Sequence, residues 1–75
     1  MAEQRYRFRL ILSAEQVLWF YQGQIKSVIV QADNGLRVQL DLVHFRRYFQ
    51  HSGLDGRFEL LTDSQGKFKA LQKIN

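Results

Sequence analysis

Between Arg5 and Leu12 the chain alternates without interruption, with Tyr6, Phe8, Leu10 and Leu12 in one register and Arg5, Arg7, Arg9 and Ile11 in the other. A period of two with one apolar side is a strand with a single buried face, which places three arginines together on the opposite face. The alternation ends at Ser13, where three helix-start signals coincide. Ser13 is an N-cap residue, Gln16 three residues on completes a capping box, and Leu12 and Val17 stand where a hydrophobic staple forms. A strand that runs directly into a helix of fixed phase is a strong constraint on the fold. The helix is expected to reach about Gln22 and to stop at Gly23. Ala14, Val17, Leu18 and Tyr21 would share its buried face, and Trp19 falls on the other side with Glu15 and Gln16.

The β-branched run Ile25 to Ala32, centred on Val28-Ile29-Val30, reads as an interior strand covered on both faces. Asp33-Asn34-Gly35 accepts the positive φ of a tight turn, so Leu36 to Leu40 should pair back as a hairpin. Asp41 is then placed to cap a second helix, with Leu42, Phe45 and Phe49 as its core stripe and Ser52-Gly53 as its end. After the turn Leu54-Asp55-Gly56, residues Arg57 to Thr62 alternate again with Phe58 and Leu60 inward. Asp63 to Gly66 turns the chain into a last strand from Lys67 to about Ile74. Phe68 and Ala70 suit one face of that strand and Leu71 the other, which calls for a bulge or a curled strand.

The expected fold is therefore α+β, one domain over residues 1–75 in the order βαββαββ, a twisted antiparallel sheet with two short helices on one face. The first six elements match a split βαβ unit. Only twelve residues, Ser13 to Gln24, separate the first two strands, about the minimum for a crossover, so a curled, barrel-like sheet is the alternative.

Size and composition restrict what such a domain does. Below about 70–80 residues one core rarely supplies more than ~3–5 kcal/mol, and this 75-residue chain has no cysteine to form a disulfide. Its ten aromatic residues offset this, and a homodimer is the other ready source of buried area. The longest apolar run, Val17 to Tyr21, is too short for a membrane span or a signal peptide, so a cytoplasmic protein without membrane contact is expected. The net charge of +4 lies at the two ends. Residues 1–12 carry three Arg and one Glu, residues 63–75 three Lys and one Asp, and residues 13–62 five cations against five carboxylates.

The stretch Tyr21-Gln22-Gly23-Gln24-Ile25-Lys26-Ser27-Val28, then Arg37-Val38-Gln39, and His51-Ser52-Gly53-Leu54-Asp55-Gly56-Arg57-Phe58, resemble a short bacterial family of about this length, known only as a domain of unknown function. The likeness covers nearly the whole chain. It implies a stand-alone cytoplasmic bacterial protein and brings no reaction, cofactor or site residues.

Three features are candidates for function. The second helix would carry His44, Arg47 and His51 on its outer face, with Arg46 near them and Tyr48 at the edge, a cationic stripe suited to phosphate or carboxylate. An ordinary solvated helix face with its positive end on the helix dipole shows the same pattern. The row Arg5, Arg7, Arg9 would repeat every ~6.6 Å and, joined by Lys67, Lys69 or Lys73, would form a basic surface. Equally, long basic side chains keep a sheet face soluble and its edge unpaired. Trp19 is either a lid over a loop or an anchor for a partner. A metal site is not expected: His44 and His51 lie about 10.5 Å apart along a helix and no cysteine completes a shell. Nor is catalysis or a cofactor, because there is no glycine-rich phosphate loop, no cysteine nucleophile and no paired carboxylates. The expectation is a non-enzymatic binding module that contacts nucleic-acid phosphates or another acidic partner through its basic residues. The alternative is a protein-interaction or homodimerisation module.

Overall fold

The alternation of the first segment is realised as β1 (Gln4–Ser13), whose Phe8, Leu10 and Leu12 are buried while Arg5, Arg7 and Arg9 are exposed. The capping box forms as read. Ser13 Oγ accepts from the Gln16 N–H at 3.1 Å and Gln16 Oε1 accepts from the Ser13 N–H at 2.9 Å, opening helix α1 (Ala14–Tyr21). The remaining elements are β2 (Ser27–Gln31), β3 (Arg37–Asp41), a 3₁₀ helix (Leu42–Tyr48), β4 (Gly53–Thr62) and β5 (Phe68–Lys73). The computed structural model describes residues 3–75.

The strands form two antiparallel sheets rather than one. β4 lies between β1 and β5, pairing with β1 along its whole length from Gln4↔Thr62 to Ser13↔Gly53, while β2 and β3 form a separate hairpin. The hairpin turn is the expected one, with Gly35 at φ +88° and Asn34 Oδ1 accepting from the Leu36 N–H at 3.1 Å. No crossover joins β1 to a paired β2, and the two sheets do not close into a barrel. They meet through core side chains and a backbone bond from the Asp33 N–H to the Arg7 carbonyl at 2.7 Å. The bulge in the last hairpin is present, between Leu61 and Thr62.

The core lies between the inner face of the three-stranded sheet and a cover made by the hairpin and the 3₁₀ helix. Phe8, Phe45 and Phe58 are fully buried, with ring centroids 5.1–6.2 Å apart, and Val30 and Leu40 enter from the hairpin. β2 is not the two-sided interior strand that its composition indicated. In a two-stranded hairpin only one face meets the core, so Val30 is buried and Ile29 is 63% exposed.

The second helix also departs from expectation, in period and in its cap. Asp41 makes no side-chain cap bond, and the segment winds as a 3₁₀ helix. At 3.0 residues per turn Leu42, Phe45 and Tyr48 eclipse, so Tyr48 rather than Phe49 completes the inward row, its ring 5.3 Å from Phe58. Phe49 has left the helix, with ψ 140°. β4 begins at Gly53, earlier than the turn read at Leu54-Asp55-Gly56, because Leu54 is needed opposite Leu12 in the core.

Candidate docking groove

α1 was read with four residues inward, yet only Val17 is buried. Leu18 is 52% and Tyr21 55% exposed, and Ala14 is exposed with them. These positions line an open groove of about 550 Å³ whose other wall is Phe49, Gln50 and His51. The exit of the 3₁₀ helix explains the groove. Because Phe49 turns out of the helix, its ring meets Phe20 at 5.4 Å and Tyr21 at 6.2 Å, edge to face, at the margin of the core. Phe20 and Tyr21 are themselves 5.4 Å apart, so a second aromatic cluster forms beside the first and stays partly in water.

Two contacts fix the walls against each other. Gln50 and Gly53 exchange backbone hydrogen bonds of 3.0 Å in each direction, closing the turn that carries His51. Gly53, at φ +113°, lies directly on the junction of β1 and α1. A Cβ there would stand 2.2 Å from the Leu12 carbonyl oxygen and 3.0 Å from the Ala14 nitrogen. Only glycine fits this position. The rim is cationic on the Tyr21 side, where the Arg46 guanidinium stands 5.8 Å from the ring centroid. Arg46 forms no ion pair among the described residues, and no carboxylate lines the groove.

The predicted basic stripe on the second helix does not form. His44 is turned toward β5, stacked on Phe68 with centroids 3.9 Å apart, at a separate opening shared with Tyr6, Arg37 and Gln39. His51 belongs to the groove, and Arg47 lies 5.7 Å from the centroid of the Tyr48 ring. The 3₁₀ helix keeps positions 44 and 47 in one row but ends at Tyr48, so His51 lies beyond it in the turn closed by Gln50 and Gly53.

The arginine row exists, but two carboxylates of β4 offset most of its charge. Arg5 and Arg7 each donate to Glu59 at 3.0 Å, one to each carboxylate oxygen, while Gln72 donates to it from β5 at 3.3 Å. These side chains close over the Glu59 carboxyl, leaving it 7% exposed, and the hydrogen bond from Arg7 holds it below the usual carboxylate range. Arg9 grips Asp55 with two bonds of 3.1 and 3.0 Å, Arg57 pairs with Asp33, and Lys69 with Glu3. Lys67 is exposed, its backbone N–H donating to Asp63 Oδ1 at 2.9 Å. The terminal strands share a sheet but are not neighbours, and the intervening β4 supplies Glu59 and Asp55, the carboxylates that meet the arginine row.

Trp19 is half-buried, so the outward member of the Trp19-Phe20-Tyr21 run is Tyr21. Leu18, Tyr21 and Phe49 are the site residues the sequence reading assigned to the core. The signal that points to them is that run itself: at 100° per residue three consecutive aromatics span 200° of a helix, more than one buried face accommodates. Among the described residues no group of three or more His, Asp or Glu side chains is placed to hold a metal, and no helix is long and apolar enough to cross a membrane.

No curated protein and no solved structure is similar enough to match. The family model described as protein of unknown function (DUF2835) matches residues 4–74, nearly the whole chain. The chain therefore belongs to the DUF2835 family.

Proposed function

We propose that this chain is a small, non-catalytic protein-interaction module that docks an apolar segment of a partner protein in the groove between α1 and Phe49-Gln50-His51. One observation carries the reading. The helix leaves Leu18 and Tyr21 more than half exposed beside Phe49, a continuous apolar floor on a domain whose other exposed apolar residues are spread over separate elements. A chain this short gains from burying apolar area, so leaving that floor open favours a role in recognition over one in stability. The phosphate-contact reading draws less support. Arg5, Arg7, Arg9 and Lys69, four of the cations that motivated it, already share three carboxylates, Glu59, Asp55 and Glu3, and giving up these pairs would offset a small part of any gain from phosphates.

The test is crosslinking in cells with recovery of both proteins and nucleic acids, comparing the native chain with the Leu18→Lys/Tyr21→Lys double variant. The docking reading expects a defined set of protein adducts that the double variant loses. Nucleic-acid adducts that survive in the double variant and disappear on replacing Arg5, Arg7 and Arg9 would overturn it.

A further inference from the structure

The walls of the groove say what form its occupant takes. An extended segment adds to a protein along the backbone of a sheet edge, but this groove is walled by a helix and a closed turn rather than by a strand edge. The Gln22 N–H returns to the Leu18 carbonyl at 2.9 Å, the Phe49 N–H to the Arg46 carbonyl at 3.2 Å, and both backbone groups of Gln50 are taken by Gly53. Recognition therefore runs through side chains, which suits a segment whose own backbone is already satisfied, a helix. The floor has the matching spacing. Ala14, Leu18 and Tyr21 stand at i, i+4 and i+7 along about 10.5 Å of helix, and Ala14 is small enough for a second helix to approach closely.

Charge selects among helices. Arg46 overlies Tyr21 at the rim and pairs with no carboxylate among the described residues, none of the groove-lining residues is acidic, and the whole chain carries +4. A second copy is the poorer occupant: in a two-fold contact the facing surface is this same groove, which has no carboxylate to offer Arg46. Resting on the docking reading above, we infer that the groove receives an amphipathic helix from another protein, with apolar anchors at i, i+3 or i+4, and i+7 and a carboxylate placed to meet Arg46.

Three labelled synthetic peptides test this by fluorescence anisotropy and amide chemical shifts. The first is a helix with leucine anchors at that spacing and glutamates on one flank; the second has lysines for the glutamates; the third keeps the first peptide's composition in a scrambled, proline-interrupted order. The first should bind, with shifts at Leu18, Tyr21 and Phe49, and outdo the second by about fivefold or more, the sum expected of one or two rim charge contacts. Arg46→Glu should reverse that preference, and Leu18→Lys should abolish binding of both. Equal binding of the first two peptides would overturn the acidic assignment while leaving docking intact. Binding of the scrambled peptide as tight as the first would overturn the helical one. If none of the three moves the groove amides at up to about 1 mM, the docking reading itself falls with the inference. A Leu18-dependent dimer of the chain alone in sedimentation would replace the proposed partner with a second copy.

Discussion

Replacing Gly53 by alanine tests whether one glycine holds the two walls of the groove together. At φ +113° an L-residue costs about 1–3 kcal/mol in backbone conformation alone. The added Cβ would also stand 2.2 Å from the Leu12 carbonyl oxygen, which is backbone in a fully paired strand and has no rotamer to escape into. Overpacking of this kind typically adds about 1–3 kcal/mol, so the total loss is about 2–5 kcal/mol after a small gain from a stiffer unfolded chain. A domain of this length has about 4–11 kcal/mol in all at ~0.05–0.15 kcal/mol per residue. Gly66→Ala is the control, because Gly66 also has positive φ (+87°) but nothing near its missing Cβ. It should lose only the conformational part, about 1–2 kcal/mol. Guanidinium denaturation of both variants should separate them by at least 1 kcal/mol, or about 5 °C in Tm. Amide shifts in the Gly53 variant should spread to Ala14, Leu18 and Gln50. Equal losses in the two variants, with undisturbed groove amides, would show that Gly53 is not the clamp described.

Three further outcomes follow from the same contacts. Ser13→Ala removes one half of the observed capping box and should lower stability by about 0.5–2 kcal/mol in a thermal melt, with faster amide exchange in the first turn of α1. The Glu59 carboxyl is held below its usual range by the hydrogen bond from Arg7 and the attraction of Arg5, so its contribution is full above about pH 4.3 and fades as pH falls through the lower folded value. Glu59→Gln should therefore flatten the acid side of a stability–pH curve, and an unchanged acid limb would contradict this. Leu18→Lys and Tyr21→Lys replace side chains more than half exposed, and each should change stability by no more than about 0.5–1 kcal/mol by denaturant titration.

Local signals in the sequence were legible where one interaction type decides the outcome. The alternation of Tyr6 to Leu12, the reciprocal Ser13–Gln16 cap, the Asp33-Asn34-Gly35 turn and the conflict of Phe68 and Ala70 with Leu71 all reappear as β1, the start of α1, the hairpin and the bulge. Pairing between distant segments was not legible. Nothing local distinguishes β1 beside β2 from β1 beside β4, since both partners are apolar on one face, and the choice of β4 is what splits the strands into two sheets. For function, the period of the second helix matters most. Leu42, Phe45 and Phe49 fit an α-helical stripe, but Leu42, Phe45 and Tyr48 fit a 3₁₀ row equally well, and the core took the second. That one-residue difference sends Phe49 to α1, dissolves the expected His44, Arg47 and His51 stripe, and opens the groove. The ion pairs of Arg5, Arg7 and Arg9 were hidden for the same long-range reason, because Glu59 and Asp55 are more than 40 positions away in the chain.

Placing a photo-crosslinking amino acid at position 18, and separately at position 7 on the outer sheet face, in cells that make the protein shows which of the two surfaces meets a partner. Docking in the groove predicts a discrete protein adduct from position 18, absent from position 7 and suppressed by Tyr21→Lys. Nucleic-acid adducts from position 7 together with a silent position 18 would contradict it, and would return the function of this chain to its basic sheet face.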